Sequence, residues 1–160
     1  MARVSRLNHA VLFVRDAERA AAFYQEAFGF EVVQNVGGRA VFLRAAGSAN
    51  HHDLGLFALG PAAQGPFTGQ AVGLYHLAWQ VDTIEELAEM RVTLANLGAL
   101  TGQSDHGATK SLYGRDPDGN EFEVMWLVPR EAWGPYDREA VTRPLDLERE
   151  LARFGSGRGS

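Results

Sequence analysis

The chain contains no cysteine. Disulfides, zinc–thiolate sites, iron–sulfur clusters and cysteine nucleophiles are therefore excluded. Positive charge is also in short supply, with 15 Lys and Arg against 20 Asp and Glu and a formal net charge of -5. With no clustered basic patch to offset that balance, a nucleic-acid partner is not expected. No apolar run approaches the length of a membrane span. The opening MARVSRLNHAV lacks an apolar signal core, which predicts a cytoplasmic protein with no membrane partner. What remains is the composition of an ordinary globular protein, 46% hydrophobic and 22% charged over 160 residues. That length suits one domain or two small fused modules.

Read in order, the chain repeats itself. Leu7 to Val14, LNHAVLFV, has the composition of a strand, with His9 as its one polar interruption. Asp16 is placed to cap a helix from about Ala17 to Phe28, and Gly29 to end it. Glu31–Val36 and Arg39–Ala45 suggest a hairpin around Gly37-Gly38, and His52 to Leu59 a fourth strand. Gly60 to Gly73, rich in Gly, Pro, Ala and Gln, has the composition of a linker. The order then recurs. Leu74 to Val81, LYHLAWQV, is a strand with His76 near its start, and Asp82 or Thr83 caps a helix from about Ile84 to Leu97 that Gly98 ends. A short strand near Ala99 to Gly102 and a final hairpin follow. LNHAVLFVRDAERAAAFYQEAFGF and LYHLAWQVDTIEELAEMRVTLANLGA share a His two residues after Leu, a capping Asp and a Gly-ended helix. This is an internal strand–helix–three-strand repeat, with a first module at residues 5–60, a second at 73–129 and a C-terminal extension at 130–160. In the extension, Arg130 to Arg143 is irregular, Pro144 opens a short amphipathic helix, and Gly155 to Ser160 has a disordered composition.

The final hairpin carries the strongest local signal. Lys110 to Arg115 and Phe122 to Leu127 are strands joined by Asp116-Pro117-Asp118-Gly119-Asn120, a turn in which Pro presets φ and Asp and Asn bond back to the backbone. Phe122 to Leu127 is apolar apart from Glu123, and a carboxylate in so apolar a run is costly to bury unless paired or metal-bound. Glu121 lies on the same strand face, so periodicity alone does not choose between the two. A lone strand histidine is more often a core or surface residue than a ligand. The matched places of His9 and His76 in a repeat weigh against that reading for this pair. Two imidazoles and one carboxylate form the facial set of non-haem Fe(II) oxygenases, which leaves open positions for substrate and oxygen.

DPDGNEFE, the two His residues and the doubled element order together resemble the vicinal oxygen chelate superfamily of glyoxalases, bleomycin- and fosfomycin-resistance proteins and extradiol catechol dioxygenases. The resemblance runs from about Leu7 to Leu127. It implies an α+β fold of two tandem βαβββ modules whose curved sheets form a cup around a metal site. It also selects Glu123, two residues beyond DPDGNE's asparagine and glutamate pair, as the third ligand beside His9 and His76. HHDLGLF resembles the strand where extradiol dioxygenases carry an acid/base histidine, which selects His52. DHGATKSLYGRDPDGN resembles the same enzymes, with His106 and Tyr113 at positions that contact substrate. WGPYDREAVTRPLDLEREL looks like the tail of small catechol-2,3-dioxygenase-like proteins. The resemblance thus implies an Fe(II) extradiol ring-cleaving dioxygenase, with Mn(II) as the alternative metal, acting on a catechol-type aromatic substrate with O2, and a homodimer. The chain departs from many extradiol enzymes in matching only their active half. Two alternatives stand beside this reading: a glyoxalase-type isomerase or thiol transferase using Ni, Co, Zn or Mn on the same triad, and a metal-free small-molecule binding or resistance protein.

Overall fold

The computed structural model of the chain describes residues 1–66 and 72–156. It divides into two compact units, Met1–Pro66 and Phe67–Ser160. The first holds β1 (Ala10–Val14), α1 (Ala17–Phe28), β2 (Glu31–Asn35), β3 (Ala40–Arg44) and β4 (Leu54–Ala58). Its sheet runs in the order β1-β4-β3-β2, with β1 parallel to β4 and the other pairs antiparallel. Helix α1 begins where the Asp16 carboxylate accepts the amides of Glu18 and Arg19, and it ends at Gly29, φ 66°. Ala17, Ala20, Ala21, Tyr24 and Ala27 fall on one face at helical spacing and are buried, as are Val41, Leu43, Leu54 and Leu56 of β3 and β4, on which α1 packs. Gly37 and Gly38, at φ 57° and 70°, supply the two positive angles that a two-residue hairpin turn of matching twist requires.

The second unit repeats the plan with β5 (Leu77–Val81), α2 (Ile84–Asn96), β6 (Leu100–Asp105), β7 (Thr109–Arg115) and β8 (Glu121–Leu127). The sheet order β5-β8-β7-β6 reproduces that of the first, again with one parallel pair, β5 with β8. Thr83, not Asp82, caps α2, in a reciprocal box with Glu86. Even the irregularities correspond: each edge strand, β2 and β6, has a bulge near its start, between Val32 and Gln34 and between Leu100 and Gly102. The fold is α+β, built of two βαβββ modules. Among the described residues no helix is long and apolar enough to cross a membrane.

Several boundaries differ from those expected. The two opening strands start at Ala10 and Leu77, three residues later than their apolar runs suggest, where pairing with Leu54 of β4 and Phe122 of β8 begins. Leu7 and Leu74 are consequently 79% and 69% exposed. β6 continues to Asp105 instead of stopping near Gly102, because β7 pairs with it to Lys110. In the extension, two short 3-10 turns, Arg130–Ala132 and Gly134–Asp137, precede α3 (Leu147–Phe154). That helix starts after Asp146, which accepts the Arg149 amide, and not at Pro144. Residues 67–71 of the expected linker and 157–160 of the Gly/Ser-rich end lie outside the described residues.

The extension is fastened to the second unit by charge as well as by apolar contact. Phe154 packs on Trp126, with ring centroids 5.2 Å apart, and Leu145 and Leu147 are buried. Lys110 on β7 meets Asp105 at 2.5 Å and Glu150 of α3 at 3.7 Å, all three being buried. Arg149 closes the group, 2.9 Å from Glu150 and 3.7 Å from Asp105.

Candidate functional site

The first unit places His9 one residue before β1 and His52 two residues before β4. Asp53 builds the loop that carries His52. Its carboxylate accepts the Ala45 amide at 2.8 Å, the Ser48 hydroxyl at 2.8 Å and the Asn50 amide at 2.7 Å. Burial opposes ionisation of Asp53, but these three donors together hold its carboxyl below the usual range. Asn50 also donates to the Asn8 carbonyl at 2.8 Å, which ties the His52 loop to the residue preceding His9. The His9 and His52 rings stand 4.5 Å apart, and Phe42 lies 5.0 Å from His52. Burial, followed by the proximity of His9 and then His51, lowers the His52 pKa and favours its neutral imidazole. At His9 the Nδ1–H donates to the Asn8 side-chain oxygen at 2.9 Å; in the neutral imidazole this leaves the lone pair on Nε2, the form a metal requires.

The second unit places His76 one residue before β5 and Glu123 in β8. His76 Nε2 lies 3.1 Å from Glu123 Oε2, and the Glu123 side chain is only 13% exposed. Glu121 is engaged elsewhere, 3.5 Å from Arg115. The two carboxylates that share a strand face thus have different partners, and the sequence gives no sign of this. The pair at His76 and Glu123 also fits a divalent ion. Imidazole nitrogen and carboxylate oxygen are donors suited to iron or manganese, and two donors about 2.1 Å from one ion at a right angle stand roughly 3.0 Å apart. His76 Nδ1 is buried and without a hydrogen-bond partner among the described residues. Register shows that the carboxylate is not duplicated. Ala78 pairs with Glu123 as Val11 pairs with Gly55, so Gly55 occupies the corresponding place in the first module, where Phe42 and Val11 close around the missing side chain.

Tyr113 sits directly across the β7–β8 ladder from Glu123, a pairing that puts both side chains on one face within about 5 Å. Burial first, then the Glu123 carboxylate, raises the Tyr113 pKa and keeps the phenol protonated. His106 stands in the turn after β6, and its Nε2 is 2.7 Å from the Tyr113 hydroxyl. Its Nδ1 is 2.9 Å from the Val141 carbonyl. The structure therefore gathers the expected residues into three groups: His9 with His52, His76 with Glu123, and His106 with Tyr113. Asn8, Asp53 and Val141 complete them. None carries a sequence signal: their roles are hydrogen bonds to a loop or an imidazole, which leave no periodicity.

Comparison with known proteins bears on the family and the fold. The family model described as the Glyoxalase/Bleomycin resistance protein/Dioxygenase superfamily matches residues 6–124. The catechol-2,3-dioxygenase of Bacillus subtilis is 31% identical over 158 residues, covering 96% of this chain but 54% of its own length, so the chain spans about half of that relative. The metallothiol transferase FosB of Lysinibacillus sphaericus is 29% identical over 142 residues, covering 86% of this chain and 94% of its own length. Among solved structures, a glyoxylase/bleomycin resistance protein/dioxygenase domain from Frankia sp. superposes with a TM-score of 0.65 at 23% identity, covering 79% of this chain and all of that one.

Proposed function

The chain belongs to the glyoxalase/bleomycin resistance protein/dioxygenase superfamily, and from that premise we propose that it is an Fe(II)-dependent extradiol dioxygenase that cleaves a catechol-type ring with O2. The observation that carries this reading is the His106–Tyr113 pair, hydrogen-bonded at 2.7 Å and set directly across the ladder from Glu123. A metal-bound isomerisation has no evident need of a second, linked polar pair beside the ligand. A substrate with two adjacent hydroxyls does.

His9, His76 and Glu123 would hold the metal. When bound, the metal would template the two reactants and neutralise the charge developing on them. The protein's own groups do the rest. His52, kept neutral by burial, is suited to accept a proton from the substrate and to return one during ring opening. His106 and Tyr113 face the substrate as a pair, the Tyr113 hydroxyl, hydrogen-bonded to His106, holding its oxygen. Phe42 lies against the proton-transferring imidazole of His52.

The test is oxygen uptake. Protein reconstituted anaerobically with Fe(II) and given a panel of catechols should consume O2 and form a yellow ring-opened semialdehyde. His52→Phe should keep its metal and lose turnover by about 10²- to 10⁴-fold, the usual contribution of a general acid–base group. The rival reading, a glyoxalase-type isomerase or thiol transferase, has length in its favour, because the chain spans 94% of FosB. No oxygen uptake with any catechol, together with isomerisation of a thiol adduct, would replace the first reading with the second.

A further inference from the structure

The C-terminal extension does more than cover the second unit. Four of its residues converge on the turn that carries His106, among them Thr142, whose hydroxyl oxygen lies 3.4 Å from His106 Nδ1. The Val141 carbonyl lies 2.9 Å from His106 Nδ1. Arg143 forms a two-way backbone bridge with Asp105, the residue before His106, its amide donating at 2.9 Å and its carbonyl accepting at 2.8 Å. The Tyr136 ring lies over Gly107, the residue after it. A Cβ on Gly107 would come within 2.4 Å of that ring, and Gly107 holds φ at +79°. The turn has been left without a side chain so that Tyr136 can sit on it. Arg143 in turn donates to the Tyr136 hydroxyl at 2.9 Å.

A carbonyl only accepts, so the contact with Val141 requires the proton of the neutral imidazole to reside on Nδ1. Nε2 is then the bare nitrogen, and the 2.7 Å contact is the Tyr113 O–H donating to it. We propose that the 136–143 segment is a positioning device for the substrate-facing pair: the Val141 carbonyl fixes His106 as the Nδ1–H tautomer, which draws the Tyr113 hydroxyl proton toward Nε2 and leaves the Tyr113 oxygen to meet a ligand as an acceptor. The Val141 carbonyl thereby decides the polarity of a group 28 residues upstream. Its consequence for specificity rests on the proposed function: the ligand atom facing Tyr113 must bring a proton, as a catechol hydroxyl does and a carbonyl, carboxylate or phosphonate oxygen without one does not.

The tautomer can be read directly, without metal, substrate or turnover, so its result stands apart from that of the oxygen-uptake test. In the full-length chain labelled with ¹⁵N at histidine and free of paramagnetic metal, long-range ¹H–¹⁵N correlation distinguishes the protonated ring nitrogen from the bare one. His106 should show a protonated Nδ1 and a bare Nε2 at neutral pH; a protonated Nε2 would overturn the proposal. Arg143→Pro removes the amide that donates to Asp105 and forces Thr142 toward extended backbone. Arg143→Ala removes the same side chain and keeps the bridge. The proline variant should shift His106 toward Nε2–H, and the alanine variant should keep Nδ1–H. An unchanged tautomer in a folded proline variant, or a shift in the alanine variant, would overturn the role given to the backbone. Tyr113→Phe should leave Nδ1–H in place, because Val141 sets it; a shift there would assign the tautomer to Tyr113 instead. If the proline variant does not fold, the parent and Tyr113→Phe spectra still decide.

Discussion

Glu121 and Glu123 stand two residues apart on one face of β8, and only their partners distinguish them. Glu123 faces an imidazole at 3.1 Å and Glu121 a guanidinium at 3.5 Å. Glu123→Ala should therefore weaken binding of Fe(II), followed anaerobically by calorimetry, by more than about 100-fold, beyond what loss of an outer partner typically costs. Glu121→Ala removes a half-exposed ion pair and should leave metal affinity within a few-fold, since such pairs contribute about 1 kcal/mol or less. The reverse pattern would move the ligand to Glu121. His51 and His52 pose the same kind of choice. Their Nδ1 atoms are 3.1 Å apart, but only His52 also lies against His9 and Phe42. His51→Phe should be nearly silent in oxygen uptake where His52→Phe is not. Equal effects would leave the reaction standing and undo the choice of proton-transfer residue. Tyr113→Phe leaves His106 Nε2 without its donor, and kcat/KM for catechol should fall by roughly 1 to 3 kcal/mol in transition-state terms.

At the scale of elements, what could be read from sequence was chemistry confined to a few neighbouring residues. Asp16 and Gly29 bound α1 where expected, Gly37-Gly38 turns the first hairpin, and Asp116 does gather the amides of Asp118 and Asn120 at 2.9 Å each. What could not be read was set by distant partners. A strand is defined by its pairing, which begins at Ala10 and Leu77, so Leu7 and Leu74 fall outside β1 and β5 despite their apolarity. The α3 helix looks merely amphipathic, yet its Glu150 is buried beside Lys110. That charged group yields a prediction. Burial alone would raise the Asp105 pKa, but the Lys110 hydrogen bond, the Gly107 amide and the charges of Lys110 and Arg149 bring it below the ordinary value. A carboxyl depressed in the folded state gives stability that is complete above its unfolded pKa, about 3.9, and that is lost as pH falls through the lower folded value. Urea unfolding should thus show stability declining below about pH 4. Asp105→Asn should cost about 3 kcal/mol at pH 7, because it leaves buried Lys110 without its closest counter-charge, and should flatten the decline in acid. A variant with the parent's pH profile would remove Asp105 from that role.

For the whole molecule, the repeat is the feature that sequence shows best, and the structure extends it to matching bulges at Val32/Gln34 and Leu100/Gly102. The break in the repeat is chemically the more informative. Gly55 stands where the second module has Glu123, and Phe42 where it has Tyr113, as the paired registers show. The two modules thus share a histidine at matching places but differ in the carboxylate and the phenol, an asymmetry that the proposed three-donor site with open positions would use. If His9 of the first unit and His76 with Glu123 of the second bind one ion, that ion links units which otherwise cluster separately. Ligand binding stabilises the folded state by about 2.7 kcal/mol at a free concentration 100 times Kd, and the whole of that gain should be felt by both units. Hydrogen exchange with and without a divalent metal should therefore show added protection in β1 and α1 as well as in β5 and β8. His9→Ala should leave both units folded and abolish the metal-dependent protection in the first. Protection confined to the second unit of the parent would mean that His76 and Glu123 bind metal without His9, and the three-donor assignment would fall.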